Sequence, residues 1–277
     1  MFFLATIDHI RNINRNRVYN RLLRSPCVNH PNGFIYSGRG AALKEGSHEP
    51  YQTSLVSKIF YEVDLFINIG ANHGFYPCLA LRQNLPTIAF EPHPINCAMI
   101  KKHVAINGFL TSFELHEVAV GPSAGELTLY GGGQGGSLFR ENSNAPKSQQ
   151  QNVLVKSLNE TINLGSSKAL CLMDIEGYEF EALKGATKLL SNPIKPYWII
   201  EVWSKDRKGE PNPQFSKLFS FMHSFGYESW SLSEHKKSVV KFPIELAGLV
   251  EKGHAMIETD NFLFVPTGED LVRRLDI

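Results

Sequence analysis

The stretch that most constrains this chain is the run Val63-Asp64-Leu65-Phe66-Ile67-Asn68-Ile69, which breaks directly into Gly70-Ala71-Asn72-His73-Gly74. A short, nearly continuous apolar run reads as a strand buried on both faces. A second such run, Thr87-Ile88-Ala89-Phe90, ends in Glu91, 21 residues after Gly70. Residues 73–85 between them suit a helix, and Pro94 to Asn107 suits another, with Pro94 in its first turn and Gly108 just past its end. Further strands are expected at 112–120, 125–130, 152–158, 168–175, 196–203 and 226–231. A last strand at 261–265 is reached without an obvious long helix and is expected to run antiparallel. Strands alternating with helices of about a dozen residues imply β-α-β units and a mainly parallel sheet.

Composition narrows the class. At 277 residues, roughly 70–75% of the unfolded surface can be buried, so no disulfide or metal is needed to hold a core. The sequence carries 28 Lys+Arg against 27 Asp+Glu, which argues against a phosphate-tracking nucleic-acid binder. That balance hides an asymmetry. Residues 1–30 hold Arg11, Arg15, Arg17, Arg21 and Arg24 against Asp8, a net +4, and the remainder carries −3. Ile10, Ile13, Tyr19 and Leu22/Leu23 fall at helical spacing, so this segment reads as a basic amphipathic helix, either packed on the body or docked on an anionic membrane surface. The Pro-, Asn- and Gly-rich stretch that follows divides a helical and loop extension, 1–50, from a body, 51–277.

Cys27, Cys78, Cys97 and Cys171 have neither C-x-x-C nor Cys/His ligand spacing, which points to a reducing compartment and away from zinc. The apolar amino-terminal stretch is too short for a signal-peptide core, and no run approaches the roughly 18 residues of a membrane span. A cytoplasmic location is expected.

A glycine turn at the end of one strand and an acidic residue at the end of the next are the parts of a nucleoside site at the carboxyl edge of a parallel sheet, where the acid accepts hydrogen bonds from ribose hydroxyls. A cofactor is therefore expected at Gly70, Gly74 and Glu91. The glycine spacing is G-x-x-x-G, not the G-x-G-x-x-G that seats a pyrophosphate, and no tyrosine has a lysine four residues on, which disfavours NAD. S-adenosylmethionine has no phosphate, and Asn68, Asn72 and His73 supply polar groups for its amino-acid end. The run Gly131-Gly132-Gly133-Gln134-Gly135-Gly136 lacks a following helix and the Lys-Ser/Thr of a P-loop, and reads as a loop.

A second constellation runs from Met173 through Asp174, Glu176, Gly177, Glu179 and Glu181 to Gly185, starting at a strand end and entering a helix. Asp174 and Glu176 sit at the sheet edge beside the cofactor crevice, where paired acids are costly without a role or partners. Glu179 and Glu181 fall in the first helical turn, where the helix dipole favours anions. His223 reads as a packed core histidine. The segment Asn192-Pro193-Ile194-Lys195-Pro196-Tyr197 is similar to the Asn-Pro-Pro-Tyr motif of nucleobase amine methylation, but it lies before a strand and reads as a loop.

Taken in order, Asn68-Ile69-Gly70-Ala71-Asn72-His73-Gly74-Phe75-Tyr76, Phe90-Glu91-Pro92, Val118-Ala119-Val120-Gly121 with Gly125 to Leu129, the 173–185 segment, Ile200-Glu201 and Asn261 to Pro266 resemble the FkbM family of S-adenosylmethionine-dependent methyltransferases over about 55–266. Two positions depart from the family pattern: Asn68 stands where an Asp is usual and Met173 where a Lys is usual. The resemblance implies a Rossmann-like class I methyltransferase fold and S-adenosylmethionine as cofactor. It implies cofactor-binding roles for Asn68, Gly70, Ala71, Asn72, Gly74, Glu91, Ala119 and Val120. It also implies O-methylation of a sugar hydroxyl or small metabolite, with Asp174 or Glu176 orienting or deprotonating the acceptor and His73 a weaker candidate. Glu201 would complete an acceptor or metal pocket with Asp174 and Glu176, although no resident metal is expected. An NAD-dependent oxidoreductase or epimerase, and a non-catalytic protein that keeps the fold, are the alternative readings. The acceptor pocket is expected from residues 1–50, 131–150 and 204–214.

Overall fold

A computed structural model describes residues 21, 23–37, 45–131, 135–142, 150–206 and 208–277. The strands, in chain order, are β1 (Val28–Asn29), β2 (Ile35–Tyr36), β3 (Leu65–Ile69), β4 (Thr87–Phe90), β5 (Phe113–His116), β6 (Ala119–Val120), β7 (Gly125–Tyr130), β8 (Gln150–Lys156), β9 (Ala169–Met173), β10 (Tyr197–Glu201), β11 (Tyr227–Ser233), β12 (Ser238–Lys241) and β13 (Asn261–Pro266). Eight of them form the central sheet, in the order β12-β11-β13-β10-β9-β3-β4-β5. From β10 to β5 every pairing is parallel, and β13 is antiparallel to both of its neighbours. This is the mostly parallel α/β sheet that the sequence predicts, with its antiparallel last strand.

The apolar runs alternate between two cores. Ile67, Ile69, Cys171 and Met173 face one cluster, and Phe66, Leu170 and Leu172 face the other. Both faces of β3 and β9 are thus dry, and each such aliphatic side chain contributes about 1.5–3 kcal/mol of burial. Helix α1 (Pro50–Ile59) precedes β3, α2 (Phe75–Arg82) links β3 to β4, and α3 (Pro94–Ile106) links β4 to β5. Pro94 occupies the first turn of α3, and Gly108, at φ 73°, turns the chain beyond it.

Five sequence expectations are corrected. The single strand expected at 112–120 is two: β5 ends in the main sheet at His116, and the chain leaves it so that β6 pairs with β8. The strands at 125–130 and 150–156 form an antiparallel pair in a separate sheet ordered β6-β8-β7; the described residues between them hold one 3-10 turn, Arg140–Asn142, and no crossover α-helix of the kind a parallel return needs. The strand expected to reach 158 stops at Lys156, because Ser157 and Glu160 form a capping box that starts a helical turn at Leu158. Finally, β12 adds an edge hairpin, and an eight-residue helix, Ile244–Glu251, lies before β13. His223 is exposed at the end of the helix Phe215–Ser224 and is not a core residue.

The expected basic amphipathic helix falls on residues 1–30, of which only 21 and 23–30 are among those described. Residues 28–36 form the hairpin β1/β2, which seats Phe34 and Tyr36 against Phe75. Among the described residues, no helix is long and apolar enough to cross a membrane.

Candidate active site

Strands β3, β4, β9 and β10 all end on one edge, so Gly70, Glu91, Asp174 and Glu201 are delivered there by the parallel topology. Two adjoining cavities open on this edge. The first is walled by Gly70, Asn72, Glu91, Ala119, Val120, Asp174 and Glu176, with apolar surface from Phe90, Val118, Leu129, Leu138 and Ile175. The second is walled by Asn68, Ala71, His73, Tyr76, His48, Glu49 and Gln52. Gly70, Asn72 and Asp174 line both.

The glycine turn owes its shape to packing as much as to a ligand. Gly70 has φ 87°, and a Cβ there would collide with the backbone carbonyl of Asp174, whose amide N–H donates to the Ile69 carbonyl at 3.0 Å. The glycine lets the ends of two neighbouring strands close. Gly74 lines neither cavity; it sits at φ 83° at the start of α2, with Ile100 of α3 in the space a Cβ would need. Asn72, at φ 51°, points its amide N–H at Glu91 Oε2, 2.8 Å away.

Glu91 is the junction of two loops. Its Oε1 accepts from the His93 amide N–H at 2.8 Å and from Asn96 Nδ2 at 3.2 Å. Burial pushes its carboxyl up to about 7 against these three donors, which pull the other way. Oε1 is doubly occupied, so Oε2 retains the capacity for a ribose hydroxyl.

Beyond β9, the turn 174–177 is bent by Glu176 at φ 59° and Gly177 at φ 97°. Its amides are held from within: Glu179 Oε1 accepts from Ile175 N at 3.0 Å and Gly177 N at 3.1 Å. Burial raises the Glu179 carboxyl to about 8. Glu179 is therefore a structural acid, and Glu181 pairs with Lys184 at 2.7 Å. From outside, the Glu176 carbonyl accepts from Ser137 Oγ at 2.8 Å and Asn142 Nδ2 at 3.3 Å. The stretch 135–142, which continues the glycine-rich loop, is thereby strapped over the first cavity, and Gly135 and Gly136 line it.

Asp174 hydrogen-bonds the carboxyl of Glu201. Burial, and then the Asp174 charge, raise the Glu201 carboxyl; burial also raises Asp174, while the hydrogen bond from Glu201 lowers it. Two hydrogen-bonded carboxyls, both raised by burial, hold one proton between them more readily than they carry two charges, and Asp174 is the member of the pair that faces the cavities. Met173 is buried and without charge, so the groups that favour the Asp174 anion are the Glu201 carboxyl, the Glu176 backbone and His48. No group of three or more His, Cys, Asp or Glu is arranged to hold a metal ion among the described residues.

The first cavity suits an adenosyl sulfonium. Apolar walls offer an adenine face, Glu91 offers a ribose acceptor, and the buried Asn72 Oδ1, with no hydrogen-bond partner among the described residues, is an acceptor for an ammonium. Asn68 stands in the wall of the second cavity, its Nδ2 donating to the Leu172 carbonyl at 3.4 Å.

Sequence reasoning expected residues 1–50 to help build an acceptor pocket but singled out neither His48 nor Glu49 there, nor Gln52, Asn96 and His93 in the body. The only signal was His48-Glu49 placed directly before Pro50, the first residue of α1.

No curated protein matches the sequence. Among solved structures, the chain is similar to an FkbM methyltransferase of Methylobacillus flagellatus, at 15% identity over 93% of this chain and 60% of that one, with a TM-score of 0.45. It is also similar to an O-methyltransferase family protein of Burkholderia thailandensis, at 14% identity over 83% of this chain and 58% of that one, TM-score 0.37. A third is Sp1610 of Streptococcus pneumoniae, a putative tRNA (m1A22) methyltransferase in complex with S-adenosyl-L-methionine, at 8% identity over 81% of this chain and 77% of that one, TM-score 0.41. The chain thus spans about three fifths of the first two. The model of the methyltransferase FkbM domain matches residues 68–229, more than half of the sequence and the whole span from the first glycine turn to the strand β11. The chain belongs to the FkbM family of methyltransferases, with S-adenosylmethionine as its cofactor.

Proposed function

We propose that this protein transfers the methyl group to a hydroxyl of a saccharide or small metabolite, and that Asp174 orients and deprotonates that hydroxyl. The observation that carries the reading is the position of Asp174 in the wall common to both cavities, hydrogen-bonded from behind by the Glu201 carboxyl. S-adenosylmethionine supplies an electrophilic methyl carbon. The residues have the remaining tasks. Glu91 and Asn72 hold the donor by its ribose and ammonium, Ala119 and Val120 with Ile175 flank its base, and Gly70 keeps the wall between the cavities thin. Transfer to a hydroxyl is an in-line displacement, so most of the rate comes from alignment, and the proton of the hydroxyl must pass to a base within hydrogen-bond reach. Asp174 faces both cavities, whereas Glu176 lines only the first. His73 lines the second cavity and is the alternative base.

We take the acceptor to be a small molecule, since residues after 30 carry a net −3, unsuited to following phosphates. The cysteine pattern keeps the cytoplasm as the proposed compartment. A screen of sugar nucleotides, lipid-linked glycans and small alcohols with labelled donor tests the reading. Label in an acid-stable ether, reduced at least 100-fold by Asp174→Asn, is expected. Undiminished transfer by Asp174→Asn contradicts the base assignment.

A further inference from the structure

The second cavity has a wall built by residues that precede the family's matched segment, and that wall is strained and aimed. Glu49 precedes Pro50, a position that ordinarily favours extended backbone, yet it lies in the left-handed region at φ 41°, ψ 57°. Its side chain makes no capping bond to α1. The first amides of that helix are served from elsewhere: Glu234, at the tip of the β11/β12 hairpin, accepts from Tyr51 N at 3.0 Å and from Gln52 N at 2.6 Å. Relieved of capping, the Glu49 carboxylate turns to Tyr76 Oη and Gln52 Nε2, each donating to its Oε2 at 3.1 Å.

Gln52 is the second sign. The residue is 5% exposed, its Nε2 donates to Glu49 and to Tyr76 Oη at 2.9 Å, and its buried Oε1 has no hydrogen-bond partner among the described residues. A buried acceptor without a donor is costly, and it lies in the wall of a cavity that also exposes two carboxylates. Glu49 and Asp174 are close enough that the charge of Asp174 raises the Glu49 carboxyl. All three groups are hydrogen-bond acceptors: Glu49 already accepts from Tyr76 and Gln52 and lies 3.8 Å from His48 Nε2, and Gln52 Oε1 is the one among them with no donor among the described residues.

We propose that Glu49 and Gln52 are specificity-determining residues that hold the acceptor by a hydroxyl other than the reacting one, so that the second cavity selects an uncharged polyhydroxy compound over a mono-alcohol. This rests on the methyltransferase reading above: one hydroxyl meets Asp174 and a second meets the Glu49–Gln52 wall. Backbone strain at Glu49 is then spent on aiming an acceptor at the substrate. Glu234 is a positioning residue that acts through α1.

The test uses the full chain saturated with S-adenosylhomocysteine and follows binding of myo-inositol, methyl α-D-mannoside and methyl β-D-glucoside, with cyclohexanol as the mono-alcohol, by saturation-transfer NMR. At least one polyol is expected to bind at millimolar concentration and cyclohexanol not to. Glu49→Gln and Gln52→Leu are each expected to weaken that polyol about tenfold, a loss of one or two hydrogen bonds, with the affinity for S-adenosylhomocysteine and the melting temperature unchanged. Glu234→Gln is expected to weaken the polyol less than either. The proposal is overturned if no polyol binds while S-adenosylhomocysteine does, if cyclohexanol binds equally well, or if both cavity variants leave polyol affinity unchanged. Failure of the wild type to bind S-adenosylhomocysteine overturns the underlying reading together with this one.

Discussion

A Cβ on Gly70 would occupy the space of the backbone carbonyl oxygen of Asp174. The residue that turns the donor loop and the residue assigned as base are therefore set by one backbone contact between neighbouring strand ends. Gly70→Ala should displace Asp174 and strain a φ of 87°, the latter alone costing about 1–2 kcal/mol. Donor binding and turnover should both fall at least 100-fold, with a lower melting temperature. A Gly70→Ala protein of wild-type activity would show that the two strand ends can separate without consequence.

The Asp174–Glu201 pair gives a pH dependence with a definite sign. Both carboxyls are raised, Glu201 by burial and then by Asp174, so activity should rise with pH along a limb lying above the ordinary carboxylate range. Glu201 donates the hydrogen bond that lowers Asp174. Glu201→Ala removes that donor and should move the limb upward, whereas Glu201→Gln retains an N–H donor and should leave it nearly in place. A pH–rate profile for the three proteins decides this.

Buried His103 joins the amino-terminal hairpin to the donor loop. Its Nε2 accepts from Ser37 N at 2.9 Å, and Nδ1 donates to the His73 carbonyl at 2.7 Å. Burial lowers its pKa to about 4. The unfolded chain binds this proton near 6.5, so stability is lost as pH falls from about 6.5 to 4, by up to about 3 kcal/mol. Glu91 and Glu179, raised to about 7 and 8, titrate in the opposite sense. The measurement is therefore the difference between wild type and His103→Asn in denaturant midpoints at pH 7 and pH 5; wild type should lose more on acidification.

The strap 135–142 is held to the acidic turn by Ser137 and Asn142. A Cβ on Gly177 would collide with the Asn142 amide. Asn142→Ala should weaken S-adenosylhomocysteine binding about threefold to tenfold, and Gly177→Ala, which also disturbs φ 97°, should weaken it more. Isothermal titration would reveal whether the strap covers the donor.

Much of this site is legible in the sequence, because the parallel sheet brings strand ends together whatever lies between them. Gly70, Glu91 and Asp174 each follow a dry apolar run, and those runs become β3, β4 and β9 nearly as read. The glycine's partner was not legible: its close neighbour is a carbonyl 104 residues away in the chain. Nor was the wall made by Glu49 and Gln52. Its geometry depends on Glu234 capping α1 from a hairpin whose second strand, Ser-Val-Val-Lys, is too short and too exposed to stand out. The capping box at Ser157 was readable and was overridden by the apolar pattern preceding it.

The central claim is that the first cavity binds S-adenosylmethionine through Glu91. Isothermal titration of wild type with S-adenosylhomocysteine tests it most directly. The account predicts one site per chain and a loss of at least 100-fold in affinity in Glu91→Ala with the fold retained by circular dichroism; no binding to wild type, or equal binding to Glu91→Ala, would contradict it.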